Sequence, residues 1–168
     1  MNQLIINVGP SGCGKTTWTT EFIKTHPNYA RINRDDIRKT LFGEISTDYY
    51  KSYQLALKEN LVTAIEEDIF LGLREPRLKF NIIVDNTNLQ KSYLERWIKL
   101  CDEFDLKYSI NIFPVPPIEE LKLRVAKREG IRSFEWKDRL SYIDKQYVQY
   151  NNIVNRINEH YKHLIYNE

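Results

Sequence analysis

The stretch GPSGCGKTT, residues 9–17, directly follows the apolar run LIINV. Its spacing of Gly9, Gly14, Lys15 and Thr16 fits a phosphate-binding loop, in which small residues let the backbone curl so that successive N–H groups face phosphate oxygens. Gly9, Ser11, Gly12, Cys13, Gly14, Lys15, Thr16 and Thr17 are therefore the candidate nucleotide contacts. Lys15 reaches the terminal phosphates, the Thr16 hydroxyl ligates Mg²⁺, and the helix that follows turns its positive end toward the site. A Gly-rich turn without function is the alternative, and a buried strand before it with an amphipathic helix after it argues against that. Cys13 is small enough for the loop, either as an oxidisable group or as simple filler.

Two further polar clusters follow apolar runs. After YARI come Asn33, Arg34, Asp35, Asp36 and Arg38, and after NIIV come Asp85, Asn86, Thr87 and Asn88. Asp85 occupies the place of the second carboxylate of a nucleoside triphosphatase, which holds Mg²⁺ directly or through water. The competing role for Asp85 and the asparagines is capping a turn or helix, and Asn88 is the candidate among them for contact with a second substrate. Asp35 and Arg38 are three apart on a helix and share a face. Together they suit an acceptor carrying a hydroxyl and a phosphate: the carboxylate takes the hydroxyl proton, worth about 10²–10⁴ in rate, and the guanidinium forks onto the phosphate. Helix capping is the alternative for Asp35, and Asp36 competes for either role.

Arg124 and Arg128 lie four apart just before Gly130. An arginine delivered by a lid hinged there would neutralise a transferred phosphoryl group, worth about 10³–10⁵ in rate. Arg128 is the first choice, being nearest the hinge, and surface salt bridging is the alternative.

These residues need strands and helices to position them. LIINV, YARIN, FNIIVD and YSINIF read as strands. Helices are expected over TTWTTEFIK, from Asp35 to Phe42, in a long segment ending near Gly72, around Tyr93 to Phe104, from Pro117 to Glu129, and from Phe134 to Ile157. Tyr50, Tyr53, Leu57, Leu61 and Ile65 form the expected buried stripe of the long helix, and Tyr93, Trp97, Cys101 and Phe104 that of the next. Tyr49, Tyr50 and Tyr53 double as possible stacking platforms for bases, with core packing preferred. The alternation implies an α/β fold of three layers, a mostly parallel sheet with helices on both faces, and the phosphate loop after the first strand makes it one of the P-loop NTPase type. Ligands of such sheets sit at the carboxyl ends of the strands, where all three polar clusters fall.

The 168 residues, 42% hydrophobic and 29% charged, suit one domain over 1–168 and do not suggest disorder. Two cysteines support neither a disulfide framework nor a structural zinc site. With no leader or membrane span in view, the expected location is the cytoplasm, with no membrane partner. A net charge of +2 does not announce a nucleic-acid binder. Lys122 to Arg139, however, carries seven basic against three acidic residues, a solvated face or a local anion footprint.

The elements GPSGCGKTTW, INRDDIRK, DNTNL and VAKREG, in this order and spacing, closely resemble the kinase domain of the polynucleotide 5′-hydroxyl kinase family of T-even phage type. The resemblance covers nearly the whole chain, and NRDD…R and DNTN are far more specific than the phosphate loop. It implies transfer of the γ-phosphate of ATP, with Mg²⁺, to 5′-hydroxyl ends of single-stranded DNA or RNA, in nucleic-acid end repair. By the resemblance, Lys15 and Thr16 take the triphosphate and Mg²⁺, and Asp35 is the general base. Arg38 binds the phosphate on the 3′ side of the terminal nucleotide, and Arg128 is the lid arginine. The D-x-D signature of that family's phosphatase domain is absent, so no 3′-phosphatase activity is expected. A small-metabolite or nucleoside kinase and a nucleotide-binding module without transfer activity are the two alternatives.

Overall fold

A computed structural model describes residues 3–43, 59–72, 80–132 and 135–166. Four strands, β1 (Gln3–Val8), β2 (Tyr29–Ile32), β3 (Asn81–Val84) and β4 (Lys107–Ile112), form one sheet in the order β2-β3-β1-β4. Every pairing is parallel. Seven helices are described: α1 (Lys15–Thr25), α2 (Arg34–Phe42), α3 (Glu59–Gly72), α4 (Lys91–Glu103), α5 (Ile118–Glu129), α6 (Trp136–Arg139) and α7 (Ser141–His160). This is the α/β three-layer fold expected, and the crossover helices explain it, because parallel strands require such connections.

Register divides the sheet's two faces. Leu4, Ile6 and Val8 alternate with Ile5 and Asn7, and the pairs Leu4–Ile82, Ile6–Val84, Ile32–Val84 and Ile6–Ile110 put the even-numbered residues of β1 in one apolar layer. That layer meets Phe70 of α3, Leu94, Trp97, Ile98 and Cys101 of α4, and Ile153 and Ile157 of α7. On the opposite face Asn7 points at Thr19 of α1, donating Nδ2 to Oγ1 at 2.9 Å. A second apolar cluster, Cys13, Phe113, Leu121, Val125, Ala126, Ile131, Leu140 and Ile143, packs α5 and α7 behind the Gly-rich loop.

Two expectations change. The last helical segment divides at Leu140, which is fully buried in that second cluster and accepts the Ile143 N–H at 3.0 Å, so the chain turns to seat it. On α3 the buried stripe is Val62, Glu66 and Phe70, one position out of phase with Leu61 and Ile65, and Leu61 is exposed. The phase follows Val62 and Phe70, and it turns the charged Glu66 inward with them. Tyr49, Tyr50, Tyr53 and Leu57 lie outside the described residues. Among the described residues no helix is long and apolar enough to cross a membrane.

Candidate active site

Three adjacent strands end side by side, so the loop after β1, the turn after β3 and the start of α2 after β2 form one rim. Hydrogen bonds stitch them together. The Gly9 N–H donates to Thr87 O at 3.1 Å, Asn88 Nδ2 to Asn7 O at 2.7 Å, and Asn33 Nδ2 to Asp85 O at 2.6 Å.

The Gly-rich loop is shaped by close packing. Gly12 has φ +85°, and a Cβ there would lie 3.1 Å from Val125 Cγ2 and 3.2 Å from Leu121 O, so α5 presses directly on the loop. Gly14, at φ 103°, is the N-cap of α1 and offers no capping side chain, leaving the first-turn amides directed at the rim without a side-chain partner among the described residues. Helix termini of this kind attract anions. Lys15 is buried and its Nζ donates to Gly9 O at 2.7 Å and Pro10 O at 2.8 Å, with Cys13 Sγ at 3.8 Å. Burial lowers its pKa below the ordinary 10.5, opposed by the charges of Cys13 and Asp85, while the charge of Arg128 adds to the lowering. Thr16 and Thr17 are exposed in the first turn of α1, and Ser11 donates its N–H to Gln146 Oε1 of α7 at 2.8 Å. Cys13 is buried against Phe113, Leu121 and Val125, which makes it a core contact.

A polar stripe crosses the sheet beneath the loop. Asn111 Nδ2 donates to Asn7 Oδ1 at 3.2 Å, Asn7 Nδ2 to Asp85 Oδ1 at 3.3 Å, and Arg31 Nε to Asp85 Oδ2 at 2.7 Å. Arg31 also pairs with Asp36. Asp85 thus caps neither a turn nor a helix: its carboxylate is wholly buried and held on both oxygens. The donor set of Thr16 and Asp85 suits Mg²⁺, which keeps much of its water and takes one or two carboxylates plus substrate phosphates. Among the described residues no group of three His, Cys, Asp or Glu could bind a metal on its own.

The cap of α2 is Asn33, whose side chain accepts the N–H groups of Asp35 and Asp36 at 3.0 and 3.1 Å. Asp35 is thereby released from capping, the alternative weighed from sequence. It remains 61% exposed and accepts Arg38 Nη1 at 2.6 Å, the guanidinium of Arg38 being buried. Asp36 is engaged by Arg31, which leaves Asp35 as the carboxylate presented with Arg38.

The sequence did not single out Glu66 or Arg96. Glu66 is fully buried and accepts Arg34 Nη1 at 2.5 Å, Arg96 Nη1 at 3.1 Å and Asn86 Nδ2 at 3.1 Å. The clue was available: the inward phase of Val62 and Phe70 on α3 carries Glu66 with it.

Two site expectations shift. Asn88, proposed for substrate contact, is buried at φ 49°, and its amide is spent on Asn7 O under the loop, so it shapes the rim rather than lining it. Of the two arginines expected on a lid, Arg124 is bonded to the loop, Nη1 to Gly12 O at 3.4 Å, and it pairs with Glu120 at 2.5 Å. Arg128 pairs with Glu129 at 2.8 Å and acts on Lys15 through its charge. Gly130 ends α5 in the left-handed conformation, as its position suggested. The basic excess after Lys122 is largely offset locally: Lys122 pairs with Glu119 and Asp144, and Arg132 and Arg139 both pair with Glu135.

Solved structures place this fold among known ones. A chain of the Pnkp1/Rnl/Hen1 RNA repair complex is 29% identical, with a TM-score of 0.71 over 92% of this chain and 46% of that one. A second Pnkp1/Rnl/Hen1 structure is 30% identical, with a TM-score of 0.56 over 73% of this chain and 38% of the other. The chain therefore spans less than half the length of these relatives. The PezAT toxin-antitoxin system of Streptococcus pneumoniae, at 17% identity and a TM-score of 0.66 over 94% of this chain and 63% of that one, shares the fold. So does AvrRxo1-ORF1:-ORF2 solved with ATP, at 18% identity and a TM-score of 0.62 over 94% of this chain and 51% of that one. With a P-loop kinase-like fold and a family match over residues 4–143, the chain belongs to the AAA domain family, AAA_33.

Proposed function

We propose that residues 1–168 form a kinase domain that transfers the γ-phosphate of ATP to the 5′-hydroxyl end of a single-stranded DNA or RNA, in nucleic-acid end repair. The observation that carries the reading is the Asp35–Arg38 pair: an exposed carboxylate, freed from capping by Asn33, held at 2.6 Å by a buried guanidinium on the rim shared with the phosphate loop. The likeness to chains of an RNA repair complex supports a nucleic-acid acceptor.

Bound Mg²⁺–ATP supplies the phosphoryl group and the metal charge that spreads its negative charge. The amides of Gly12 to Gly14 and of the first turn of α1 grip the phosphates, with Lys15 turning from the loop carbonyls toward the terminal oxygens. Thr16, by its hydroxyl, and Asp85 would hold the metal. Asp35 takes the proton of the attacking hydroxyl, and Arg38 orients the acceptor by its 3′-side phosphate while fixing the Asp35 carboxylate. Arg128 steadies the charge on the group in transfer.

The test is a panel of acceptors with labelled ATP and Mg²⁺: a 5′-hydroxyl oligonucleotide, a nucleoside 3′-phosphate, and neutral nucleosides. Labelling of the first two supports the reading. Labelling of neutral nucleosides alone replaces it with a small-metabolite kinase, and binding of ATP without labelling of any acceptor replaces it with a binding module.

A further inference from the structure

Asp35 and Asp85 reach the rim on different elements, and beside the Asn33–Asp85 and Arg31 contacts a further device joins their neighbours. Arg34 precedes Asp35 and Asn86 follows Asp85. The Arg34 N–H donates to Asn86 Oδ1 at 2.9 Å, Asn86 Nδ2 donates to Glu66 Oε1 at 3.1 Å, and Arg34 Nη1 returns to Glu66 Oε2 at 2.5 Å. These bonds close a ring through the start of α2, the turn after β3 and the middle of α3. Arg96 of α4 fastens the ring from outside, Nη1 to Glu66 Oε2 at 3.1 Å, and itself lies over Trp97 with its Nε 3.4 Å from Glu67. Arg34 in turn lies over the Tyr93 ring, 5.6 Å from its centroid.

A fully buried carboxylate is costly unless paired, and an apolar cluster of equal volume serves stability at least as well. What hydrogen-bonded charge adds is direction. Each bond in the ring fixes an angle as well as a distance, so neither rim segment shifts without leaving a buried polar group unmatched.

We propose that Glu66 is a positioning residue: through Arg34 and Asn86 it fixes the acceptor-side carboxylate Asp35 against the donor-side carboxylate Asp85. This rests on the phosphotransfer reading for its catalytic consequence, but the geometry it asserts does not. In-line transfer tolerates little misplacement, an error of about 1 Å costing on the order of 10² in rate.

The decisive variant is Glu66→Gln, which keeps volume but sets an amide N–H₂ against a donor whichever way it turns, the Asn86 amide or the guanidiniums. Hydrogen exchange is expected to quicken in residues 33–36 and 85–88 and to stay unchanged in the first turn of α1. ATP affinity is expected to stay within about twofold of wild type while kcat for transfer falls about tenfold to 100-fold. Arg96→Met is the control for a merely structural role, because it removes a half-buried charge outside the ring yet leaves the ring's own three bonds in place; it should lower the melting temperature and spare both the exchange pattern and kcat. If Glu66→Gln does not fold, Asn86→Ala opens the same ring and carries the same expectations. Unchanged exchange at both segments in a folded ring variant overturns the proposal, as does an Arg96→Met variant that reproduces its exchange and kcat losses. Should the wild-type chain label no acceptor, the transfer reading fails, and the exchange measurement still decides whether Glu66 joins the two segments.

Discussion

The two sides of the rim are built from different materials. The loop side is backbone: Gly12 and Gly14 at positive φ, bare amides at the start of α1, and a lysine resting on carbonyls. The α2 side is side-chain charge: Asp35 on Arg38, Arg34 on Glu66, and Arg31 between Asp36 and Asp85. A backbone cradle is specified by shape and fails when a Cβ intrudes. A side-chain platform is specified by charge and fails when a partner becomes neutral at constant volume.

The largest expected effect comes from the isosteric change on the charged side. Asp35→Asn keeps the shape and removes the proton acceptor, so transfer should fall by about 10²–10⁴ with ATP affinity retained. Single-turnover kinetics alongside calorimetric titration of ATP separate the two quantities. Equal losses in both would show that the sides are not separable and would break the comparison.

On the backbone side the matching change is Gly12→Ala. A left-handed backbone costs an L residue about 1–2 kcal/mol, and the added methyl meets Val125 Cγ2 at 3.1 Å and the Leu121 carbonyl at 3.2 Å. ATP affinity should fall on the order of tenfold, and thermal stability should drop with it, whereas the rate from saturating ATP should change much less. Ser11→Ala, which alters no backbone feature, is the companion that should remain close to wild type in ATP affinity.

The same division explains what the sequence could show. The loop was legible because its signal is local: GPSGCGKTT carries glycines, lysine and threonine within nine residues, between a strand and a helix that both formed where expected. The strands and their mostly parallel direction followed from apolar runs separated by helical patterns. Asp35, Arg38 and Asp85 could be picked out as polar residues at strand ends. Their support could not, because Glu66 and Arg96 sit on α3 and α4, far along the chain, and a buried glutamate inverts the rule that reads charge as solvent-facing. Hydrophobic periodicity consequently placed the stripe of α3 one residue early. The Asn88 bond was hidden for a related reason: an asparagine at a strand end looks alike whether its amide faces a ligand or the Asn7 carbonyl.

A pH titration sharpens the comparison at Lys15. Burial holds its ammonium below the ordinary 10.5. As pH rises through that lowered value the charge is lost, and ATP affinity should decline before 10.5 is reached. Stability moves the other way. In the window between the folded value and 10.5 the unfolded chain binds more protons than the folded one, so raising the pH stabilises the fold. Opposed slopes of affinity and melting temperature over this alkaline window, both flattened in Lys15→Met, are the expected result. Parallel slopes would assign the titration to other groups.

The smallest effect is expected where exposed charge meets the loop from behind. Arg124 and Glu120 form a 2.5 Å pair with both side chains 47% exposed, four residues apart on α5. Such pairs contribute about 0.2–1 kcal/mol, because solvent screens the attraction and two long side chains must be held still. In a double-mutant cycle with Glu120→Ala and Arg124→Ala the coupling to stability should stay within that range and shrink with added salt. Arg124 also reaches Gly12 O, at 3.4 Å. The backbone cradle nonetheless draws its shape from Gly12 packed on Val125 and Leu121, so ATP affinity should survive loss of the stability coupling. A large drop in affinity in Glu120→Ala, which frees the guanidinium without removing it, would mean that surface charge helps shape the loop, and the contrast between a backbone side and a charged side would no longer hold.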